Sequence, residues 1–450
     1  MSEEVREIYI ELWSLCKGVE RPLCHKYRSL RELFERVARG QMQNVSLQAT
    51  DLAARINYLA TQYSLDRWVK NALHTFRLTS NDVMNHRKEP LEEEFFRDIR
   101  AVAEAIQVIY HIPIPKELTE ILPVQMPKYS MKREKNVLER RIRVSFEYAD
   151  AEFLYVTPID EVSDEYWKIR YNQLGVNDEF TEGIKDYWRH AQLNLLDVKR
   201  NEDGTYTPSF IVLEPDYLVD ISALAECYRE YGSHPVNYIM SRLVPIDNAR
   251  PLLLGNIANL FLDEWIYASE EEPEYLDCMK KVFKRYPVEL AACEELLDKE
   301  KETAFFKDCQ MHFEHIRQTV KDTFLEPGYN LDKSDAVLEP SYICEALGVQ
   351  GRLDYMQRDM SSFIEMKSGK ADEYAMKGKL EPKENNRVQM LLYMAVLEYS
   401  MGIDRRKQHP YLLYTRYPLL YPARASWAQV RRIIALRNRI VANEYGTQMH

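Results

Sequence analysis

No apolar run in the chain reaches the length needed to cross a bilayer, and the opening Met1-Ser2-Glu3-Glu4-Val5 lacks a signal-peptide pattern. A membrane-embedded class is therefore set aside. The seven cysteines, Cys16, Cys24, Cys227, Cys278, Cys293, Cys309 and Cys344, stand at no framework spacing. That excludes a disulfide scaffold and suits a reducing compartment, so a cytoplasmic location is expected. No Gly-x-x-x-x-Gly-Lys-Ser/Thr loop occurs in the 450 residues, so the chain is not itself an NTP-driven motor. Surplus positive charge is missing too. A net charge of −11 argues against a protein that coats DNA nonspecifically, but it is compatible with an enzyme that confines positive charge to a channel.

A hydrophobic content of 46% with 29% charged residues is that of a globular protein, and the length predicts two to four domains. Residues 3 to about 110 read as helices. Ile8, Leu12 and Leu15 recur at helical spacing, as do Leu30, Leu33, Phe34 and Val37, then Leu52, Ile56 and Leu59, then Phe95, Ile99, Val102, Ala103 and Ile106. Asp51 and Ser80 are start signals. Pro113, Pro115, Pro123 and Pro127 punctuate a linker into the basic stretch Lys128, Lys132, Arg133, Lys135, Arg140, Arg141 and Arg143. Strand-like pieces follow at 141–148, 152–156, 192–199 and 209–213, with Asn201-Glu202-Asp203-Gly204 as a hairpin turn. Tyr166, Trp167, Tyr171, Tyr187, Trp188 and Tyr206 in this module are core residues or stacking partners for single-stranded nucleic acid. Helical periodicity returns over 220–325, where His312 and His315 share a face and read as polar surface. A second basic group is Arg405, Arg406, Lys407, Arg416, Arg424, Arg431, Arg432, Arg437 and Arg439, and both groups are solvated faces or a track for phosphates. The expected organisation is a helical accessory domain at 1–125, a β-rich module at 126–215 and a catalytic domain at 216–450.

The chemistry concentrates in 348–393. Gly351-Arg352-Leu353-Asp354 precedes Phe363-Ile364-Glu365-Met366-Lys367-Ser368-Gly369-Lys370, and Arg387-Val388-Gln389-Met390-Leu391-Leu392-Tyr393 follows. Arg352 to Gln357 can pair with Ser361 to Lys367 across a short turn, with 332–339 as the loop leading in. In a strand, Glu365 and Lys367 project together while Ile364 and Met366 face the other way, and a paired strand can bring Asp354 beside them. Two carboxylates and an ammonium group in one patch suit phosphodiester hydrolysis assisted by magnesium or manganese. Hard cations take oxygen ligands, here Asp354, Glu365 and the Met366 carbonyl. Lys367 would orient the attacking water or stabilise the charge that develops. Gln389 and Tyr393, four apart on an apolar helix, can reach the same site. Taken alone, Glu-x-Lys carries no weight.

The joint pattern Gly-x-x-Asp, Glu-x-Lys, Gln-x-x-x-Tyr resembles the RecB-like branch of the PD-(D/E)XK nucleases, most closely the nuclease part of the nuclease-helicases of DNA replication and end resection. The resemblance covers about 209–443. It implies an α/β (α+β) core of restriction-endonuclease type, a mixed sheet flanked by helices, acting on single-stranded DNA ends or flaps with a helicase partner in trans or on a C-terminal extension. It also implies that Arg387 and Lys370 contact substrate. The family's metal-binding His falls at Asn259 in Leu254-Gly255-Asn256-Ile257-Ala258-Asn259. An Asn oxygen can ligate a hard cation, though more weakly, or can serve as a cap or hydrogen-bonded helix residue. The family's iron-sulfur cluster needs four thiolates, three in a tight run. Cys227 matches the first position, but no cysteine follows Cys344, so no cluster is expected here, whether it has been lost or the chain is the front of a longer polypeptide. A DNA-binding or assembly module with a decayed site, and an RNA nuclease, are the alternatives.

Overall fold

The computed structural model describes residues 3–18, 21–42, 51–124, 138–229, 232–243, 249–269, 271–329, 331–374, 379–424 and 426–446. The chain is mixed α/β with a helical N-terminus and several sheets. It divides into two units, Met1–Glu214 with Val441–His450, and Pro215–Ile440. Lys128, Lys132, Arg133 and Lys135 of the basic stretch, with Pro127, lie outside the described residues. Among the described residues no helix is long and apolar enough to cross a membrane.

The first unit begins with α1 (Glu3–Lys17), α2 (Leu23–Gln41), α3 (Leu52–Gln62), α4 (Arg67–Met84) and α5 (Glu92–Tyr110). The helical stripes read from the sequence meet in one buried cluster that contains Leu12, Phe34, Ile56, Phe76, Ile99 and Ile106. Burying each such side chain contributes roughly 1.5–3 kcal/mol. Asp51 caps α3, accepting the Ala54 amide at 2.8 Å. Ser80 does not start a helix. It lies inside α4, fully buried, with its hydroxyl turned back onto the Arg77 carbonyl at 2.9 Å, a local bond that lets a serine sit mid-helix.

A six-stranded sheet follows: β1 (Leu138–Ala149), β2 (Phe153–Pro158), β3 (Trp167–Arg170), β4 (Gln192–Arg200), β5 (Tyr206–Thr207) and β6 (Phe210–Leu213), in the order β1-β2-β3-β5-β4-β6 with β1 also paired to β4. Gly204, at φ +83°, turns the chain between β4 and β5, a conformation for which glycine is suited. Tyr171, Tyr187 and Tyr206 are core residues, and Trp167 stacks on Tyr206 at 4.6 Å. Tyr166 is the exposed member of the expected set.

The second unit holds a mixed five-stranded sheet in the order β7-β8-β9-β10-β11: β7 (Ala336–Leu338), β8 (Tyr355–Gln357), β9 (Ser362–Lys367), β10 (His409–Tyr414) and β11 (Leu419–Pro422). Only β9 and β10 run parallel. The 332–339 segment is thus not all loop, because Ala336–Leu338 pairs with Gln357–Tyr355 as an edge strand. Ile364 and Met366 of β9 enter a core with Ile257 and Phe261 of α6 (Ala249–Tyr267) and Phe305 and Phe313 of α7 (Lys299–Lys321). His312 on α7 is only 1% exposed, not polar surface, because that face of α7 is the packed one. Helix α8 (Glu384–Met401) is buried over Val388–Leu397 and ends on Gly402 at φ +74°, whose amide returns to the Glu398 carbonyl at 3.1 Å. A helix apolar nearly all round belongs inside a domain.

The last helix, α9 (Trp427–Gly446), corrects the second basic group. Arg437 is fully buried, donating through Nε to the Gly348 carbonyl at 3.1 Å and also to the Tyr217 carbonyl. Arg431 is buried as well. Neither side chain is free to track phosphates. The guanidinium ties the Tyr217 and Gly348 segments together, adding a second donor to a Gly348 carbonyl that already accepts the Val219 amide at 3.0 Å.

Candidate active site

Strand β9 pairs with β8 so that Tyr355 faces Ile364 and Met356 faces Phe363. This register sets Asp354, just ahead of β8, beside the end of β9, where its Oδ2 accepts the Met366 amide at 2.6 Å. Two backbone bonds fix the approach to it: the Glu339 amide to the Asp354 carbonyl and the Leu353 amide to the Pro340 carbonyl, both at 3.1 Å. The β9 alternation sends Glu365 and Lys367 to the face opposite the Ile364–Met366 core, as the strand period requires.

Lys367 Nζ donates to Glu365 Oε1 at 2.9 Å and to Gln389 Oε1 at 2.8 Å, and Gln389 Nε2 donates to the same Glu365 oxygen at 2.6 Å. One carboxylate oxygen is thereby held by a strand neighbour and by α8. The other, Oε2, is buried with no hydrogen-bond partner among the described residues, in a residue only 3% exposed. An anionic oxygen buried without a donor is costly unless something else meets it. Tyr393, one helical turn beyond Gln389, donates to the Arg352 carbonyl at 2.6 Å. It also explains Gly351, since a Cβ there would meet Tyr393 Oη at 2.9 Å and Ile221 Cδ1 at 3.0 Å.

The electrostatics follow from this packing. Burial first, then the charge of Asp354, pushes the Glu365 pKa up to about 8, against the pull of Lys367. Asp354 is also raised, by burial above all, with Lys367 and the Met366 amide opposing. Burial works against the Lys367 ammonium, but the charges of Glu365 and Asp354 outweigh it and hold its pKa above the ordinary lysine value. Two carboxylates that each resist ionisation beside the other leave a place for added positive charge.

The other expected residues divide. Lys370 is exposed just past β9, and Arg387 is exposed on α8 with Glu384 3.5 Å away. Neither touches the Asp354–Glu365–Lys367 group in any hydrogen bond or ion pair among the described residues. Asn259 lies mid-way along α6, so it is not a cap. It is half-buried, and its amide makes no hydrogen bond among the described residues. One turn earlier, Gly255 runs close to the strand end, where a Cβ would meet Ser368 Oγ at 3.4 Å. One turn later comes Asp263, which sequence reasoning missed. Burial, then Glu339, raises its pKa to about 6, with Asp354 adding and Arg285 opposing. Gly255, Asn259 and Asp263 recur at i, i+4 and i+8, a stripe that the sequence does contain once the helix is known to face the carboxylates. Glu339 and Glu226, the latter felt by Lys367, left no local signal at all.

Among the described residues no group of three or more His, Cys, Asp and Glu side chains forms a ready-made metal cage. The donor set of Asp354 and the unpartnered Glu365 oxygen instead matches a hard divalent cation that completes its shell with water and phosphate oxygens. The residues present fit magnesium or manganese in that mode. The cysteines do not bear on it: Cys227, Cys278, Cys293, Cys309 and Cys344 are buried free thiols, with Cys16 and Cys24 half-buried.

No family model matches the chain, and no curated protein matches it. The site therefore stands on its own geometry and on the motif pattern that led to it.

Proposed function

We propose that this chain is a metal-dependent nuclease that hydrolyses DNA phosphodiester bonds, with single-stranded ends or flaps as substrate and a PD-(D/E)XK-type core as its catalytic part. The observation that carries the reading is Glu365 Oε2, a buried carboxylate oxygen with no hydrogen-bond partner among the described residues, next to Asp354 and Lys367. Asp354 and Glu365 would hold magnesium or manganese, with the Met366 carbonyl and Asn259 as the further ligands proposed from the motif. A bound cation supplies Lewis acidity and a water of lowered pKa. The chain's own residues do the rest. Gln389 and Lys367 clamp one oxygen of Glu365, which leaves the other presented to the site. Lys367, kept charged by its neighbours, supplies a positioned cation for an oxyanion or a nucleophilic water. Tyr393 remains a neutral phenol, because burial raises its pKa, and braces the Arg352 backbone that leads into Asp354. Arg387 and Lys370 stand exposed, where a substrate backbone can reach them.

DNA as substrate, a helicase as partner and a role in replication, repair or defence rest on the RecB-like motif pattern. The deciding assay is cleavage of end-labelled single-stranded DNA with magnesium or manganese, beside Asp354→Ala and beside RNA of the same sequence. Metal-dependent DNA products that vanish in the variant are expected. A second reading, a DNA-binding module without chemistry, is favoured by Asn259 at the position of the family's His. Binding without products under either metal would establish it and overturn the nuclease. Cleavage confined to RNA would overturn the choice of DNA.

A further inference from the structure

The first unit carries a cavity of about 660 Å³ where α3 and α4 meet the six-stranded sheet. Its wall includes Arg67, Lys70 and Asn71 from the first turns of α4, Thr157 from β2, and Tyr166 and Arg189 from loops. The N-terminus of an 18-residue helix favours an anion.

Two side chains there lack what they need. The Thr157 hydroxyl is buried without a hydrogen-bond partner among the described residues, in a residue 7% exposed. Lys70 is half-buried and makes no ion pair or hydrogen bond among the described residues. Burial pulls its pKa below the ordinary lysine value, with Glu147 opposing and Arg189 adding to the fall. Arg67 does have a partner: it lies 3.5 Å from the Asp164 carboxylate and donates to the Asp164 carbonyl, and Asn71 Nδ2 donates to the same carboxylate at 2.5 Å, but Arg67 and Asp164 are largely exposed. Such a pair contributes little in water and can open to a stronger anion. Arg189 holds Glu147 at 3.0 Å, and Glu165 faces solvent.

Beside the cavity, aromatic rings cross the outer face of the sheet. Tyr166, 45% exposed, stands edge-on to Tyr148, 49% exposed, at 6.0 Å, and Tyr148 stacks on Tyr155 at 4.3 Å. The register places Tyr148 opposite Tyr155, Tyr155 opposite Lys168 and Phe153 opposite Arg170. Lys168 lies over the Tyr155 ring at 5.8 Å and Arg170 over Phe153 at 5.0 Å. Exposed rings interleaved with cations are what bases and phosphates of a single strand engage together.

We propose that this cavity takes a backbone phosphate of single-stranded DNA, on Lys70, Arg67 and Thr157, while adjoining bases lie against Tyr166 and Tyr148. The choice of DNA over RNA rests on the nuclease reading, whereas the site itself stands on separate residues in the other unit.

The test is fluorescence anisotropy of a labelled oligothymidylate with the full chain in EDTA, across a salt series. Lys70→Met should weaken binding about tenfold and reduce the salt slope by roughly one phosphate contact, with Lys70→Arg restoring both. Tyr148→Ala with Tyr166→Ala should weaken binding about tenfold or more with the slope unchanged. Melting curves identify any variant that fails to fold, and Thr157→Val then supplies a milder probe, expected to weaken binding severalfold. Affinity and slope unchanged in folded Lys70→Met and in the double tyrosine variant overturn the proposal. Tighter binding of oligouridylate overturns the choice of DNA. Lys70-dependent binding in a chain that cleaves nothing would leave this site standing and remove the nuclease. Metal-dependent cleavage with insensitive binding would do the reverse.

Discussion

Replacing Glu365 by glutamine separates what this carboxylate does to folding from what it does in chemistry. Burial and Asp354 raise its pKa from 4.5 to about 8. Across that window the folded chain holds a proton that the unfolded chain has released. Metal-free stability from this group is therefore full at and below the unfolded pKa, falls as pH rises and levels off above the folded one. A rise from 4.5 to about 8, at ~1.4 kcal/mol for each tenfold change in proton affinity, sets a ceiling of roughly 5 kcal/mol on the penalty at high pH. Glutamine keeps the shape without the charge but gives up the ionic attraction of Lys367, which returns part of that sum. Glu365→Gln should thus lie within about 1 kcal/mol of the parent at pH 5 and about 2 kcal/mol or more above it at pH 8.5, by urea unfolding in EDTA. Magnesium or manganese should stabilise the parent alone and close the gap at pH 8.5. The same variant should lose cleavage. A stability difference that does not change between the two pH values would refute the assignment of a buried, proton-holding Glu365.

Other expectations follow from the same contacts. Lys367→Ala leaves Glu365 without its ammonium partner and should reduce metal-dependent cleavage about a hundredfold or more while binding of DNA is retained; full activity would remove Lys367 from the site. Gly351→Ala drives a methyl group against Tyr393 and Ile221 and should destabilise by about 1–3 kcal/mol, read as a lower urea midpoint at unchanged slope. Asn259→His should tighten manganese binding if position 259 is a direct ligand, and an unchanged isothermal titration would make it a bystander on α6. Asp263→Asn should weaken manganese binding severalfold through the lost charge near Asp354, and an unaltered titration would show that its charge does not reach the metal.

Much of the local structure was legible because it depends on periodicity. The apolar stripes of α1, α2, α3 and α5 and the alternation of β9 each bury what their spacing says they bury, and the Asp51 cap and the Gly204 turn are chemistry that neighbouring residues complete. Where a partner distant in sequence decides, that reading stopped. Ser80 looks like a start signal until α4 continues through it, and His312 looks like surface until α7 turns it inward. Arg437 belongs to a basic run by sequence but is a buried tie between carbonyls in the fold.

The site divides along the same line. Residue type and order alone named Asp354, Glu365, Lys367, Gln389 and Tyr393, because a strand of period two and a helix of period near four fix which of them share a face. Only the tertiary structure decided that Gln389 and Lys367 share one oxygen of Glu365 and leave the other bare, that Gly351 is small because Tyr393 passes over it, and that Asp263 and Glu339 add charge to the same place. Likewise, Tyr148, Tyr155 and Tyr166 became one surface only through the pairing of β1 with β2 and the packing of the loop beside them. Local dihedral preference and side-chain period are written into consecutive residues. Burial, charge proximity and unmet hydrogen bonds are properties of residues far apart in the chain, and they exist only once the core has closed.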